Sequence, residues 1–389
     1  MDPIRNPYTP GAGSRPPALT GRDSELEAFR VLLARLALGR PEKSMLITGL
    51  RGVGKTVLLN TFEAIAEEQG FRTAKAEITH ETDFRPLIAR LARRALLAIS
   101  PARRMKQRAR RAAAVFKAFT LRTPEGLELG IDVEALVGQA DSGELGEDLS
   151  DLFQALGEAA QEHKTGVVFL LDEIQFLARP ELEALIAALH QVSQRELPLT
   201  LTGAGLPQLP ALTGAAKSYA ERLFRFPSID RLDPQAGRAA LELPAEQEGV
   251  SFQGKATDRI LELTDGYPYF LQEYGKHAWN AAAGPTINIA DVRRAHDLVQ
   301  LELDESFFRV RIGRATRAEL DYLAAMAGLG QGPYRSGEIA TALGRPGPES
   351  VAPTRARLIE KGLIYSPAYG LNEFTVPHFD TYLRRTVAS

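Results

Sequence analysis

The sequence predicts an α/β chain built on a parallel sheet, followed by a helical segment and then by three short helices with a two-stranded ribbon. Three observations carry that prediction. Gly49-Leu50-Arg51-Gly52-Val53-Gly54-Lys55-Thr56 fits G-x-x-x-x-G-K-[ST] and lies between a short apolar run, Ser44 to Thr48, and a run with Val57, Leu58, Phe62 and Ile65 at helical spacing. Gly166-Val167-Val168-Phe169-Leu170-Leu171-Asp172-Glu173 is a continuous apolar run ending in two acids, as a strand buried on both faces requires. Five strand-like runs alternate with helix-like ones, the pattern of a parallel sheet covered on both faces.

Taken in order, residues 1 to about 18 are rich in Pro, Gly and Ser and read as a flexible arm. An amphipathic helix begins near Leu19 to Glu27, with capping candidates Asp23 and Ser24, and runs to about Leu38. Strand, loop and helix follow to Gly70, and Phe71 to Thr79 reads as a second strand. Residues 84 to 117 read as helical and increasingly basic. Arg103, Arg104, Lys106, Arg108, Arg110, Arg111 and Lys117 place seven cations in fifteen residues, a pattern of a solvated helix face or of a contact with a partner. Phe116 to Leu121 and Leu127 to Val133 flank Thr123-Pro124-Glu125-Gly126, which suggests a β-hairpin. Basic helix and hairpin, about residues 100–135, form a candidate protein-binding insert.

After Glu173, a helix from about Pro180 to Gln194 leads to a strand at Leu197 to Gly203, and Arg222 to Ile229 reads as a fifth. These elements make residues 19–231 one core. Residues 232–305 read as helical, broken at Asp265-Gly266-Tyr267-Pro268. In residues 306–389, helices at Thr316 to Met326, Ser336 to Leu343 and about Ser350 to Lys361 precede strands at Leu363 to Tyr365 and Phe374 to Val376. That order spells a winged helix-turn-helix, whose third helix would present Thr354, Arg355, Arg357 and Lys361 to double-stranded DNA.

The residue types at the first motif have a chemical reason. Glycines let consecutive backbone N–H groups turn onto phosphates, and the following helix aims its positive end at the same anion. Lys55 would reach the β- and γ-phosphates, and the Thr56 hydroxyl would hold Mg²⁺. Asp172, at the strand's C-terminal edge where ligands bind in open α/β sheets, would coordinate the same ion. Glu173 would polarise the water that attacks the γ-phosphate.

Composition narrows the classes further. With 44% apolar and 25% charged residues the chain is an ordinary globular one, and no apolar run reaches the length of a membrane span. The N-terminus has no signal-peptide core, which points to the cytoplasm. The absence of cysteine excludes disulfides, thiolate zinc sites and cysteine nucleophiles, and the six histidines show no ligand spacing. Residues 306–389 carry 11 Lys/Arg against 7 Asp/Glu, a local +4; the whole-chain −2 then leaves about −6 elsewhere. A modestly basic C-terminal segment on an acidic body is compatible with DNA contact.

The order of these elements resembles the archaeal-ATPase branch of the STAND and AAA+ superfamily, close to the origin-recognition initiator ATPases. The resemblance rests on Gly21-Arg22-Asp23 before the core, the phosphate loop with Arg51 inside it, the acidic strand ending Leu171-Asp172-Glu173-Ile174-Gln175, a helical lid and a winged helix. It implies ATP or ADP with Mg²⁺. It places Gly21 and Arg22 near the adenine, Thr202 as a polar sensor of the γ-phosphate, and Arg222 near the arginine-finger position, acting on a neighbouring subunit in a homo-oligomer. Arg51, Val53 and Val57 complete the loop's nucleotide contacts. Where initiator ATPases have Gly-Asp-x-Arg in the lid, this chain has Gly266-Tyr267-Pro268-Tyr269. That resembles the Gly-x-Pro of STAND switch ATPases, whose proline, here Pro268, packs on the nucleotide.

The function implied is a slowly hydrolysing ATP switch whose nucleotide state controls DNA binding or partner loading through the winged helix. The alternative is a STAND-type signalling or defence scaffold that oligomerises on ATP without binding DNA.

Overall fold

The computed structural model describes residues 1–11, 13–14, 16–101, 105–121 and 133–386. Its sheet has five parallel strands in the order β2-β3-β4-β1-β5. They are β1 (Ser44–Thr48), β2 (Arg72–Glu77), β3 (Val167–Asp172), β4 (Leu199–Gly205) and β5 (Phe224–Arg225). Every residue of β1, β3 and β4 is buried, which is why these three read as unbroken apolar or small-residue runs. Side chains alternate between two cores. Met45, Ile47, Val168, Leu170 and Ala204 face helices α1 (Asp23–Ala37) and α2 (Lys55–Glu68). Leu46, Phe169, Leu171 and Leu201 face α3 (Phe84–Ile99), α4 (Gln107–Thr120), α5 (Leu145–Glu162) and α6 (Arg179–Gln194). Aromatic stacking marks each interface: Phe29 on Phe62 at 4.2 Å on one side, Phe153 on Phe169 at 4.9 Å on the other. Each such ring contributes about 1.5–3 kcal/mol by burial.

Several sequence expectations change here. The helix α1 starts at Asp23 with Arg22 at its N-cap, and neither Asp23 nor Ser24 caps it through its side chain. The single basic helix over 84–117 is two helices, α3 and α4. The first arm of the expected hairpin, Phe116 to Leu121, is the end of α4: Phe116 and Phe119, three apart, are both buried against the second core. The rest of the hairpin, 122–132, and Arg103 and Arg104 lie outside the described residues. Of the remaining cations, Arg108 bonds to Gln161 and Glu162, Arg111 to Glu158, and Lys117 to the Val133 carbonyl, so this insert is tied to α5 and the loop before it. The fifth strand is only two residues long. Arg222 sits just before it in a single helical turn, α8 (Ala220–Leu223), which follows α7 (Leu209–Ala216).

Four helices follow the sheet: α9 (Pro234–Gln247), α10 (Gly254–Thr264), α11 (Pro268–Ala281) and α12 (Ile289–Glu302), with a small parallel pair, β6 (Ser251–Phe252) and β7 (Thr286–Ile287). The N-terminal residues, for which composition predicts a flexible arm, pack on this bundle. Tyr8 is 3% exposed, its ring lies against Gly275 and its hydroxyl donates to the Leu241 carbonyl. Trp279 donates to the Asp2 carbonyl at 3.0 Å, and the N-terminal ammonium to Ala282 at 2.6 Å. Farther along, the Gly13 carbonyl accepts from Asn60 of α2 at 3.0 Å, so the segment reaches from bundle to sheet.

A π-helical joint, Leu303–Phe308, and the short α13 (Arg309–Ile312) lead to the C-terminal segment. It holds α14 (Arg317–Gly328), β8 (Tyr334–Arg335), α15 (Ser336–Ala342), α16 (Pro348–Glu360), β9 (Ile364–Tyr365), β10 (Leu371–Phe374) and α17 (Phe379–Thr386). Its strands form an antiparallel sheet in the order β8-β10-β9, one strand more than the sequence reading expects. Phe308 stacks on Phe379 and Tyr382, and Phe270 meets Phe307 and His378, so aromatic side chains bind this segment to the helical bundle. No helix among the described residues is long and apolar enough to cross a membrane.

Candidate functional site

Register brings the loops after β1, β3 and β4 to one edge: Thr48 pairs with Gly205 and Leu171 with Gly203. Residues 49–56 leave β1 there and turn into α2. Two glycines are required by geometry. A Cβ at Gly49 would strike the Ile229 carbonyl, and Gly52, at φ +86°, would bring one within 3.0 Å of the Tyr267 ring. Lys55 is buried and its ammonium donates to the loop's own carbonyls, Gly49 at 2.9 Å and Leu50 at 2.8 Å. Burial lowers its pKa to about 8, against the favourable charges of Glu173 and Asp172. The ammonium is thus satisfied by backbone oxygens of the loop itself.

The Thr56 hydroxyl donates to Asp172 at 2.6 Å, and the Glu173 N–H donates to the other Asp172 oxygen at 2.9 Å. Burial raises the Asp172 carboxyl and the Thr56 hydrogen bond opposes it. These adjoining hard oxygens suit Mg²⁺, so the residues present fit that ion. Glu173 stands at φ +55°, a left-handed conformation a glutamate rarely adopts, which turns its side chain back toward the loop. Its carboxylate lies 3.6 Å from the Arg51 guanidinium and accepts from the Gln175 amide. Gln175 also accepts from the Leu206 N–H at 3.1 Å and so fastens Glu173 to the end of β4. Neither Gln175 nor Glu77, which pairs with Asp172 across β2 and β3, stands out in the sequence analysis. Burial, with the charges of Asp172 and Glu173, raises the Glu77 carboxyl.

Other expected residues are arranged differently. Thr202 is wholly buried in mid-strand opposite Leu170 and Met45, three residues below the edge, and its hydroxyl has no partner among the described residues. The residue of β4 that reaches the edge is Gly205, whose carbonyl accepts from the Gly49 N–H. Arg22 is 8% exposed and donates to the Val53 and Asp230 carbonyls at 3.2 and 2.6 Å, clamping the loop from behind. Burial lowers its proton affinity, opposed by Glu25 and Asp230. Gly21, at φ +65°, packs on Ala236. Pro268 opens α11 directly after Gly266, which packs on the Leu232 backbone, and Tyr267, whose ring lies against Gly52 of the loop. Arg222 is exposed at the opposite edge of the sheet, since Phe224 pairs with Ser44 at the start of β1.

The C-terminal segment touches the loop directly. The Arg51 N–H donates to the Thr375 carbonyl at 3.0 Å, a Cβ at Gly362 would lie 2.6 Å from the Arg51 guanidinium, and His80 bonds to the Glu360 carbonyl. On α16, Lys361 and Arg357 approach the fully buried Glu319 at 2.6 and 3.4 Å, and Arg355 donates to Ser336 at 3.1 Å. All four residues expected to face DNA thus have partners within the protein, since Thr354 accepts from Arg357 at 3.5 Å.

Comparison with known proteins places the sheet domain among ATPases. Residues 18–202 match the AAA ATPase domain, and residues 305–383 match a domain of unknown function, DUF8462. The Walker-type ATPase PABY2304 of Pyrococcus abyssi is 17% identical over 95% of this chain and 97% of that one, with a TM-score of 0.59. The Aeropyrum pernix Orc1 protein in complex with DNA (18% identical, 96% and 94% covered) and the Thermotoga maritima RuvB Holliday junction branch migration motor (15%, 96% and 99%) each reach a TM-score of 0.46. No curated protein matches the chain.

Proposed function

From the premise that this chain is a P-loop ATPase of the AAA+ type, we propose that it is a slowly hydrolysing nucleotide switch whose C-terminal winged helix, docked on the phosphate loop, is released when ATP binds. The observation that carries this reading is the hydrogen bond from Arg51 of the loop to Thr375, with Gly362 seated against the same arginine. Residues that must wrap a phosphate are here bonded to another segment, and the two uses compete.

In this reading the N–H groups of residues 49–56 and Lys55 take the phosphates, and Lys55 exchanges two carbonyls for anionic oxygens. Thr56 and Asp172 would hold Mg²⁺, which when bound supplies charge neutralisation at the β- and γ-phosphates. Glu173 activates the attacking water once its carboxylate leaves Arg51. Arg222, exposed at the far edge of its own sheet, would in this reading act on the nucleotide of a second copy. Residues 305–386, freed from the loop, then present α16 to DNA, and the basic α4 region of the core is the candidate contact for a protein partner.

The scaffold reading has its own support: the α16 cations are already engaged by Glu319 and Ser336, so release need not expose a DNA-binding face. One experiment separates the two. Anisotropy of labelled duplex DNA is measured with apo, ADP-bound and ATP-analogue-bound protein at two salt concentrations, alongside mass by light scattering. ATP-dependent, salt-sensitive DNA binding supports the DNA-directed switch. A nucleotide-dependent rise in mass without DNA binding supports the scaffold. No response of either kind to nucleotide ends the switch reading.

A further inference from the structure

The strand β4 ends beside the site without a polar side chain: Gly203, Ala204 and Gly205 close it and Leu206 leads out of it. The polar group at that edge comes instead from the chain after β3. Ile174–Phe176 is a 3₁₀ turn directly following Glu173, and two glycines of β4 make room for it. A Cβ at Gly203 would strike the buried Ile174 side chain, and one at Gly205 would lie 2.6 Å from Oε1 of Gln175. Neither glycine has a positive φ, so the close approach of the turn, and not backbone conformation, is what calls for glycine here.

The Gln175 amide spans the gap between the two strand ends. Its Nε2 donates to the Glu173 carboxylate, and its Oε1 accepts from the Leu206 N–H at 3.1 Å. A carboxylate only accepts and an N–H only donates, so these partners fix which end of the amide points which way. Glu173 has a second partner, the Arg51 guanidinium at 3.6 Å, but the Arg51 backbone is held by Thr375 of the C-terminal segment. The contact with Arg51 thus belongs to the docked segment, whereas the contact with Gln175 belongs to the sheet edge itself. A glutamate without such an anchor would spread over several rotamers, and a reacting group held in one orientation avoids that entropy cost.

We propose that Gln175 is a positioning residue for Glu173, holding its carboxylate in one orientation at the end of β4 when Arg51 lets go. This rests on the reading of Glu173 as the group that activates water and goes further: the left-handed turn at Glu173, Ile174 beneath it and the two glycines of β4 serve one hydrogen bond.

Single-turnover hydrolysis of ATP by excess protein, with calorimetry of a non-hydrolysable ATP analogue, separates the chemical step from binding on the full chain. Gln175→Met removes both hydrogen bonds at similar volume. Gln175→Glu keeps an acceptor for Leu206 but sets a like charge against Glu173. Gly205→Ala leaves Gln175 in the chain and pushes its amide aside. Loss of a hydrogen bond to a charged group predicts hydrolysis at least about tenfold slower in Gln175→Met, and slower still in Gln175→Glu, with analogue affinity within about twofold of the wild type. Gly205→Ala should slow hydrolysis through the same contact, so that adding it to Gln175→Met costs less than about a further twofold. A Gln175→Met rate within about twofold of the wild type, equal losses of rate and affinity, or full multiplication of the two single effects overturns the proposal and leaves Gln175 a structural residue. If Gly205→Ala does not fold, the two Gln175 variants decide by the loss of rate against the loss of affinity. Glu173→Gln isolates the reading beneath: wild-type turnover there removes Glu173 from the water and Gln175's role with it. A Glu173→Gln protein that binds without hydrolysing, beside an unaltered Gln175→Met, overturns the role of Gln175 alone.

Discussion

Lys55 is charged at a cost. Its pKa of about 8, lowered by burial from 10.5, means that the folded protein disfavours the ammonium. The penalty is fully present below pH about 8 and vanishes by about 10.5, where the unfolded chain has also lost the proton. Phosphate restores the preference for charge, so binding takes up a proton once the free lysine has lost its own. ATP affinity is therefore expected to fall as pH rises through about 8, approaching tenfold per unit, with proton uptake visible by calorimetry in buffers of different ionisation enthalpy. Affinity independent of pH from about 7 to 9.5 would remove Lys55 from the phosphates. Glu173→Gln should leave ATP affinity within about twofold and slow turnover by about a hundredfold or more; an unchanged rate removes Glu173 from the water. Lys361 separates a structural role from a DNA role. Glu319 is fully buried, and Lys361 and Thr316 hold its carboxyl below the ordinary range despite the burial that raises it. That contribution is present above the ordinary carboxylate pKa and is lost as pH falls below it. Lys361→Ala should thus destabilise the protein by about 1–3 kcal/mol in urea denaturation, whereas a residue used only for DNA would leave stability untouched.

At the scale of elements, legibility followed burial and local geometry. Strands β1 and β3 and helix α2 were readable because complete burial leaves the strands only apolar or small residues, and because the turn between them admits only glycine at its tight points. Helix α5 carries Leu149, Leu152, Phe153 and Leu156 at helical spacing but no motif, so nothing in its acid-rich stretch ties it to the site. The end of α4 was misread because two phenylalanines and a β-branched neighbour imitate a strand, while the face they share becomes visible only when α5 and the sheet cover it. Capping is not settled by residue type: Asp23 and Ser24 leave α1 without a side-chain cap, whereas Asn288 accepts from Ala290 and Asp291 at the start of α12 and Asp291 answers the Asn288 N–H. Asn288→Ala should cost about 1 kcal/mol, measured as a lower denaturation midpoint with an unchanged slope. A loss near zero would mean that packing alone starts α12. The short β8 and the closing α17 had no such signal, since a two-residue strand depends on β10 for its existence.

For the whole molecule, the decisive contacts join residues far apart in the chain, and no local pattern announces them. Thr375 reaches Arg51, Tyr267 and Tyr269 reach Gly52, and Tyr8 fills a gap beside Gly275; each depends on where complete elements come to rest. The end of β4 illustrates the same limit, because the family resemblance points to Thr202 while register puts Gly205 and the neighbouring Gln175 at the level of the site. These long-range contacts also predict how the molecule answers nucleotide. If ATP and the C-terminal segment compete for the loop, the Arg51 amide should exchange its hydrogen slowly in the free protein and change its protection when the ATP analogue binds, with matching deprotection at residues 362–375. Gly362→Ala is the complementary perturbation. Its φ of +64° strains any side chain, and a methyl group there would push the Arg51 guanidinium aside, so the substitution should loosen the docked segment and raise turnover by freeing Arg51 from its neighbour. Faster exchange at 362–375 together with faster hydrolysis would mean that docking restrains the ATPase. If exchange at both segments is the same with and without nucleotide, and turnover of Gly362→Ala equals that of the wild type, the C-terminal segment is a fixed brace and the ATPase works without a switch.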